Sequence, residues 1–443
     1  MQTEALRDVL RAAAEEAIAA VHPSRCVPAA VSLDGSRLFA GHGITDLDSV
    51  SRLVVVGAGK ASATMAAALE EIFGSRIDDG LVITADGYGV PTERIDVVEA
   101  SHPLPDERGV EAAAKVLRTV QLATDDDLVI ALISGGASSL LTSPHPEIAL
   151  EDLHRTNDLM LHAGLPIEEI NTVRKHLSRI KGGRLAARAH PARVISLILS
   201  DVPGDTLTTV ASGPTTADPT TYADALDILE RYCLSDRVPR AIRRLLQGGA
   251  HGVLEETPKP GDPRLSMAEN ILIGSGRDAV GAALRFGETC GLRARRLPWP
   301  LTGEARAAGR AMGELARELR QHATLSEPST LLAGSGETTV TVTGSGHGGR
   351  NQELALAAAA SLEGLDSAVV CALGTDGRDG PTDAAGALVD GGTADRVRAA
   401  GIDLHAALEA NDAYPALAAA GDLLITGPTG TNVADLVLVA TSR

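Results

Sequence analysis

The sequence predicts two three-layer α/β domains: a Rossmann-like first domain with a mostly parallel sheet, and a second domain with a mixed sheet. Short apolar segments alternate with helical patterns along the chain, which is typical of sheets that carry helices on both faces. The chain has 443 residues, too many for one compact core. A Gly- and Pro-rich stretch at 250–266 interrupts the alternation, so we predict domains 1–255 and 256–443.

Buried strands of the first domain are predicted where short apolar segments run into a loop. These segments are 53–56, 81–84, 128–133 and 194–199. Helical patterns at 62–73 and 110–122 lie between them, as a parallel sheet with crossover helices requires.

The second domain shows the same alternation of strands and helices after the predicted boundary. Its predicted strands are 270–273, 329–332, 338–342, 368–373, 423–425 and 436–439. The runs at 329–332 and 338–342 predict two strands around a glycine turn, and hence a mixed sheet.

The composition argues against several classes of protein. Lys and Arg number 40 against 58 Asp and Glu, a net charge of −18, and no long basic run points to a nucleic-acid partner. No apolar run has the length of a membrane span, and the acidic N-terminus does not resemble a targeting segment. The four cysteines are Cys26, Cys233, Cys290 and Cys371. They form no CxxC pair, which predicts buried free thiols in a cytoplasmic protein rather than zinc or dithiol chemistry.

Two loops of the first domain are candidate phosphate sites, because open α/β sheets bind ligands at the carboxyl ends of their strands. The segment VVVGAGKASATM (54–65) places Gly57, Gly59 and Lys60 between a strand and a helix. The segment LISGGASSLL (132–141) follows another strand, and its candidate ligands are Ser134, Gly135, Gly136, Ser138 and Ser139. Glycines let the backbone approach an anion, and helix N-termini present amides to it. A tight turn and a capped helix start are the alternative interpretations.

Charged side chains of the first domain add candidate ligands for an anion and for a metal ion. Arg174 lies in the basic segment NTVRKHLSRIKGGRLA (171–186), where positive charge suits a carboxylate or polyphosphate. Asp201 and Asp205 follow a buried strand in the long loop 199–222, where a carboxylate suits Mg²⁺ or a hydroxyl proton. A solvated face and plain Asx turns are the alternatives.

The second domain contributes a further cation and several carboxylates. Arg350 stands at the start of a helical pattern in GSGHGGRNQELALAAAA (344–360). The Gly-rich loop ALGTDGRDGPTDAAGALVDG (372–391) carries Asp376, Asp379 and Asp383. Glu337 and Asn432 are further polar candidates at strand ends. Anion cradles, cations and carboxylates are together the parts that phosphoryl transfer needs.

Ten sequence segments occur in an order that is specific as a set. They are GAGK, HPLPD, SGGASS, NTVRKHLSRIKGGRLA, SDVPGD, ASGPTTAD, SGETTV, GGRNQE, GTDGRDGPTDAAG and GPTGTNVADL. As a set they resemble class II glycerate 2-kinases, and the C-terminal ones resemble the MOFRL-type domain of that family. The resemblance extends over nearly the whole chain.

The resemblance implies ATP- and Mg²⁺-dependent phosphorylation of D-glycerate at O2, giving 2-phosphoglycerate, in a cleft between the two domains. It implies that Lys60 and Arg350 are the catalytic cations, which bind the phosphoryl group or the substrate carboxylate. Asp201 is the candidate base or Mg²⁺ ligand, and Asp376 is the second candidate ligand for metal or nucleotide. D-glycerate and ATP are then the partners, and the sequence leaves the oligomeric state open.

Two alternative functions stay open at this point. The strand, turn and helix around Lys60 suggest an NAD(P)H-dependent hydroxypyruvate reductase, although Gly57-x-Gly59-x-x-Ser62 lacks the third glycine of the dinucleotide fingerprint. A non-catalytic sugar-acid binding protein shares the anion cradles, but it does not need Lys60 or Arg350 for turnover.

Overall fold

The computed structural model describes residues 1–322 and 329–442, and the chain forms two compact units. The parallel-sheet unit comprises Cys26–Ser200 and Asp205–Ile273. The mixed-sheet unit comprises Met1–Arg25, Asp201–Gly204 and Gly274–Arg443. Within the described residues, each helix is too short or too polar to cross a membrane.

Helices and strands alternate through most of the chain. The helices are α1 (Thr3–Ala20), α2 (Pro23–Ala30), α3 (Ser62–Phe73), α4 (Glu107–Gln121), α5 (Ala137–Leu140), α6 (Leu150–His162), α7 (Ile167–His176), α8 (Arg184–Ala189), α9 (Tyr222–Arg231), α10 (Arg240–Ala250), α11 (Gly276–Thr289), α12 (Ala305–His322), α13 (Arg350–Leu362), α14 (Thr393–Ala399), α15 (Leu404–Glu409) and α16 (Ala413–Ala420). The strands are β1 (Val31–Asp34), β2 (Arg37–Ala40), β3 (Gly43–Asp46), β4 (Arg52–Ala58), β5 (Asp79–Ala85), β6 (Asp96–Ala100), β7 (Asp127–Ile133), β8 (Arg193–Ser200), β9 (Ala268–Ser275), β10 (Arg293–Arg296), β11 (Thr330–Gly336), β12 (Ala368–Gly374), β13 (Gly386–Asp390), β14 (Leu423–Leu424) and β15 (Asp435–Thr441).

The parallel-sheet unit is built on a six-stranded sheet of order β6-β5-β4-β7-β8-β9. The neighbouring pairs β6-β5, β5-β4, β4-β7 and β7-β8 are all parallel. Strand β7 is buried along its whole length, because side chains on both faces pack into the core. Ala58 at the end of β4 is the partner of Ile133 at the end of β7. The turns that follow these two strands therefore lie side by side, which positions the candidate site.

The mixed-sheet unit is built on a six-stranded sheet of order β10-β11-β15-β12-β13-β14. β10 and β11 are parallel, and the other pairs are antiparallel. The strands β12 and β15 at its centre are buried throughout. The predicted combination of one mostly parallel and one mixed α/β sheet is therefore confirmed.

The compact units differ from the predicted domains at three places, one of which is the short segment Asp201–Gly204 in the mixed-sheet unit. Residues 1–25 belong to the mixed-sheet unit, where α1 buries an apolar stripe that includes Leu6 and Leu10 and packs on α11 and β12. The chain leaves the parallel-sheet unit after Ile273, because β9 extends the sheet of that unit. The Gly- and Pro-rich stretch at 250–266 is a connection inside this unit, and chain composition does not distinguish such a connection from a linker.

Two further sequence predictions are wrong. Residues 338–342 form no strand: Thr339 makes only an isolated bridge with Glu304, and the Thr341 amide donates to the Glu304 carboxylate at 3.2 Å. A side chain here takes the hydrogen bond that a neighbouring strand would otherwise provide. Cys26 and Cys371 are buried free thiols as predicted, but Cys233 and Cys290 are exposed, because both follow the last turn of a surface helix.

Candidate functional site

The turn between β4 and α3 carries Lys60 at the carboxyl end of a buried strand. Every backbone amide from Gly59 to Ser62 has an acceptor inside the unit. The acceptors are the Ile83 carbonyl for Gly59 (3.0 Å), the Gly135 carbonyl for Lys60 (2.9 Å), the Ser134 hydroxyl for Ala61 (3.0 Å) and the Gly59 carbonyl for Ser62 (3.0 Å). The amide cradle predicted at this turn is therefore closed.

Gly57 and Gly59 allow the turns after β4 and β7 to approach each other closely. A Cβ atom on Gly59, whose φ is +131°, would lie 2.1 Å from the Ser134 hydroxyl oxygen, and one on Gly57 would lie 2.2 Å from the Leu132 carbonyl oxygen. No side chain fits at either distance. The two glycines therefore allow the close approach of the loops, a structural role beside their predicted role as phosphate ligands.

The loop after β7, residues 134–139, is more open at its centre. Gly136 has a φ of +85°. Within the part of the chain that the structure describes, the amides of Gly135 and Gly136 donate to no protein acceptor. The Ser139 hydroxyl donates to the Gly136 carbonyl at 3.0 Å, and the Ser138 hydroxyl lies 2.9 Å from that of Ser212. Adjacent amides in a glycine turn suit an anion, as the sequence predicts for this loop.

A pocket of about 210 Å³ lies beside this loop. A Cβ atom on Gly136 would lie 3.3 Å from Cγ of Lys60 and 3.1 Å from the His102 ring, so the stem of Lys60 lies next to Gly136. The lining residues are His102, Pro103, Pro105, Gly136, Ser138, Ser139, Thr142, Ser143, Pro144, Leu153, Asn157, Arg174, Leu177, Ser178 and Lys181. The pocket therefore combines the loop with Arg174 and with Lys181, which the sequence did not single out.

Neither cation of this pocket has a carboxylate partner among the described residues. Arg174 donates from Nε to the Asn157 side-chain oxygen at 2.9 Å. Lys181 donates from Nζ to the carbonyls of Ser138 at 2.6 Å and Leu141 at 3.2 Å. Burial lowers the pKa of Arg174 and, with the charge of Arg174, lowers the pKa of Lys181 to about 7. Because buried charge without a counterion is costly, the pocket is electrostatically suited to an anion.

In the mixed-sheet unit, Arg350 begins α13 and holds two carboxylates. Its Nε and Nη2 donate to Asp435 at 2.6 and 2.9 Å, and its Nη1 donates to Glu337 at 2.6 Å. Burial acts to lower the pKa of Arg350, but Asp435 and Glu337 outweigh it and raise that pKa. One positive and two negative charges leave this cluster net negative.

Asp379 caps the start of the same helix. Its Oδ1 accepts the Asn351 amide at 3.1 Å, and its Oδ2 accepts the Gln352 amide at 2.8 Å. Burial raises the pKa of Asp379 to about 7 in spite of these bonds. Asp379 therefore fixes the first turn of α13, from which Arg350 projects.

Asp376 lies beside the ion pair of Arg350 and Asp435. The Oδ1 atoms of Asp376 and Asp435 are 3.1 and 3.6 Å from the position of a Cβ on Gly374. The Oδ1 of Asp376 also accepts the Arg378 amide at 3.1 Å, as in the Asx turn that the sequence left open. Asp376 therefore has a structural contact besides any role as a ligand.

Asp201 is the predicted metal ligand at the end of β8, and its Oδ2 accepts a hydrogen bond from the Asn432 amide at 3.4 Å. Between residues 1 and 322 and between 329 and 442, no group of three His, Cys, Asp or Glu side chains is placed to hold a metal ion. Mg²⁺ commonly uses one or two carboxylates together with substrate phosphates, and a single Asp201 fits that mode.

The predicted residues divide between the two units. The parallel-sheet unit brings together Gly57, Gly59, Lys60, Ser134, Gly135, Gly136, Ser138, Ser139 and Arg174, whereas the mixed-sheet unit holds Asp201, Arg350 and Asp376. Sequence reasoning included Lys181 only as one of the cations of the basic segment 171–186, and it missed Asp435 and Asn157. Asp435 could have been found, because a carboxylate at the start of the apolar run 435–440 stands out in the sequence. Asn157 could not, because an asparagine within a polar helix does not stand out.

Taken together, the fold and the charges define a two-unit α/β protein with a cationic pocket for small anions. Residues 9–247 match the domain of unknown function DUF4147, and residues 330–435 match the MOFRL family. The chain belongs to the MOFRL-type glycerate kinase family, which confirms the resemblance found in the sequence.

Individual relatives cover nearly the whole chain. A glycerate 2-kinase of Pyrococcus horikoshii is 41% identical over 430 residues, 97% of this chain and 96% of the relative. A putative hydroxypyruvate reductase of Agrobacterium vitis is 47% identical over 388 residues, 87% of this chain and 86% of the relative. The crystal structure of a glycerate kinase from Thermotoga maritima has a TM-score of 0.84 and 40% identity, and the match covers 99% of this chain and 100% of that one.

Proposed function

We propose that this protein transfers the γ-phosphoryl group of ATP to O2 of D-glycerate and releases ADP and 2-phosphoglycerate. The observation that carries the proposal is the pocket in which Arg174 and Lys181 lie without carboxylate partners among the described residues. Such a pocket suits the carboxylate of a small acid. The glycerate kinases among the relatives supply the reaction type.

The cations are assigned by the charge around each of them. The stem of Lys60 lies next to Gly136, which lines the pocket, so we assign Lys60 to the phosphoryl group that reacts with the substrate hydroxyl. The cluster around Arg350 is net negative, which disfavours a free carboxylate and suits the metal ion that accompanies a nucleotide. We therefore assign Arg350 to the nucleotide.

Asp201 is assigned to the metal ion or to the proton of the reacting hydroxyl. When bound, Mg²⁺ supplies positive charge to the oxygens of the transferred phosphoryl group. In the transfer, the substrate O2 forms a bond to the γ-phosphorus, the bond from that phosphorus to the β–γ bridging oxygen breaks, and the hydroxyl proton passes to a carboxylate. Asp201 is the proposed acceptor of this proton if it does not hold the metal.

Hydroxypyruvate reduction is the second candidate, because a relative from Agrobacterium vitis carries that name. A dinucleotide at the glycine turn would need backbone amides at the start of α3 for its pyrophosphate. The amides from Gly59 to Ser62 are already bonded within the unit. This closed turn supports the kinase over the reductase.

The first experiment is incubation of the protein with ATP, Mg²⁺ and D-glycerate, with the product identified by ³¹P NMR. We expect 2-phosphoglycerate, and no phosphorylated product when Mg²⁺ is removed with a chelator. Formation of 3-phosphoglycerate would support the kinase activity but contradict phosphorylation at O2. A rapid loss of NADH with hydroxypyruvate, and no phosphoryl transfer, would replace the kinase by the reductase.

The role of Lys60 is tested by Lys60→Met, with Lys115→Met as the matched control. Lys115 is exposed on α4, so its substitution removes the same charge far from any proposed ligand. Removing one main electrostatic donor lowers kcat by about 100- to 1,000-fold. An unchanged kcat in the Lys60 variant would reject its assignment to the phosphoryl group.

A further inference from the structure

We propose that Arg174 and Lys181 form the carboxylate subsite of the pocket, and that this pocket selects small hydroxy acids over polyols and over larger sugar acids. The identity of the ligand rests on the proposed function. The location of the subsite rests on the contacts of the two cations and on the dimensions of the pocket.

Lys181 is arranged to receive an anion together with a proton. Its Nζ donates to the carbonyls of Ser138 and Leu141, which uses both N–H groups of a neutral amine and two of the three in an ammonium ion. The third N–H exists only in the charged form, and it is left for a ligand. Burial lowers the pKa of this amine to about 7, so a bound carboxylate supplies the counterion that the protein does not.

Arg174 is arranged to bind a planar anion. Asn157 accepts its Nε–H at 2.9 Å, which fixes the plane of the guanidinium. The Nη groups have no acceptor in the described part of the chain, and Arg174 and Asn157 both line the pocket. A fixed guanidinium edge binds a carboxylate through two parallel hydrogen bonds.

The pocket dimensions limit what these cations can bind. The volume of about 210 Å³ is below the roughly 300–1,000 Å³ of pockets for drug-sized ligands, which suits an acid of about three carbon atoms. The hydroxyls of Ser139 and Thr142 donate to backbone carbonyls, and their oxygens therefore remain acceptors for substrate hydroxyl groups. Leu153 and Leu177 supply apolar lining.

The test uses Arg174→Gln and Lys181→Met in the full chain, with Arg155→Gln and Lys115→Met as controls. Arg155 and Lys115 are exposed on α6 and α4, so the controls remove the same charges outside the pocket. Titration calorimetry with D-glycerate in the absence of ATP measures binding, and steady-state kinetics measure KM for both substrates. Loss of a charge-assisted hydrogen bond corresponds to a dissociation constant about 10- to 100-fold higher.

We expect both pocket variants to weaken D-glycerate binding and to leave KM for ATP unchanged, while the controls match the unmodified protein. Glycerol and D-gluconate should not compete with D-glycerate. If either pocket variant raises KM for ATP and leaves glycerate binding intact, the cations hold nucleotide phosphate and the proposal is overturned. Arg174→Gln decides the question should Lys181→Met fail to fold, because Arg174 makes only one hydrogen bond within the described residues.

The subsite can be separated from the proposed reaction. A protein that shows no phosphoryl transfer, but that binds D-glycerate in an Arg174-dependent manner, would refute the kinase and support the subsite. Equal weakening of inorganic phosphate and D-glycerate binding would overturn the selectivity for a carboxylate.

Discussion

Removal of the Asp435 carboxylate isolates the energetic role of the Arg350 cluster. In Asp435→Asn, the doubly hydrogen-bonded pair at 2.6 and 2.9 Å loses its negative charge, while Glu337 remains as a partner at 2.6 Å. Breaking a fully buried ion pair by removing one partner costs about 3–5 kcal/mol. The Asp435 side chain is 1% exposed but that of Arg350 is 35% exposed, so solvent screening and the remaining partner reduce the cost to about 2–3 kcal/mol.

The assay is thermal unfolding of the full chain. It is measured by calorimetry, and the transition of each unit is fitted separately. For a unit of this size, about 2–3 kcal/mol corresponds to a fall in Tm of about 4–12 °C. Asp366→Asn is the control, because Asp366 is an exposed residue of the same unit and its substitution should leave Tm within about 2 °C. In the double variant Arg350→Met/Asp435→Asn, the loss of Arg350 removes the uncompensated cation. The double variant should therefore recover part of the stability that Asp435→Asn alone loses.

A Tm for Asp435→Asn equal to that of Asp366→Asn would refute this reasoning, since the pair would then behave as an exposed one. A double variant less stable than the single one would refute the electrostatic part of it, because loss of packing alone adds with each substitution.

Two further predictions follow from charges that the structure buries. Arg7→Met removes one of the two cations that pair with Asp390 and Asp422, and the side chains of Arg7 and of both aspartates are at most 10% exposed. Arg396 remains as a partner of both carboxylates, so the free energy of unfolding of the mixed-sheet unit should fall by about 2–3 kcal/mol in denaturant titrations; a change below about 1 kcal/mol would contradict the docking of α1 on this unit. The second prediction concerns pH. The pKa of Lys181 is about 7 in the ligand-free pocket, and a bound carboxylate raises it. Calorimetry should therefore find the full affinity for D-glycerate below pH 7, and an affinity that falls by up to about tenfold per pH unit above it. Lys181→Met should abolish this dependence, and His102→Gln, which changes the other titratable group of the pocket, should retain it.

The sequence predicted the fold well where the pattern was strong. The apolar runs at 53–56 and 128–133 lie within β4 and β7, because a strand buried on both faces shows a continuous apolar run. The strand at 338–342 was predicted from its β-branched residues, but Glu304 supplies the hydrogen bond that a partner strand would have made. Propensity does not reveal a competing side chain that lies far away in the sequence.

The positions of the loops around Lys60 and Gly136 were predictable from the sequence, but their hydrogen bonds were not. Strand ends and glycines correctly indicated the loops around Lys60 and Gly136. Whether a loop amide is open to a ligand depends on contacts between the loops, such as that of the Lys60 amide with the Gly135 carbonyl. Such contacts join residues more than 70 positions apart, and a single sequence carries no signal for them.

Pairing, and not the mere presence of a cation, distinguishes structural charges from binding charges in this acidic chain. Acidic residues outnumber basic ones by 58 to 40, so a counterion is easily available to any cation that serves stability. Lys175, in the same basic segment as Arg174, shows this: its Nζ lies 3.2 Å from Asp218, and both side chains are at most 7% exposed. Arg174 and Lys181 lie on either side of it in the sequence and bond only to neutral oxygens. Leaving them unpaired destabilises the folded chain, and an anionic ligand that enters the pocket relieves that cost.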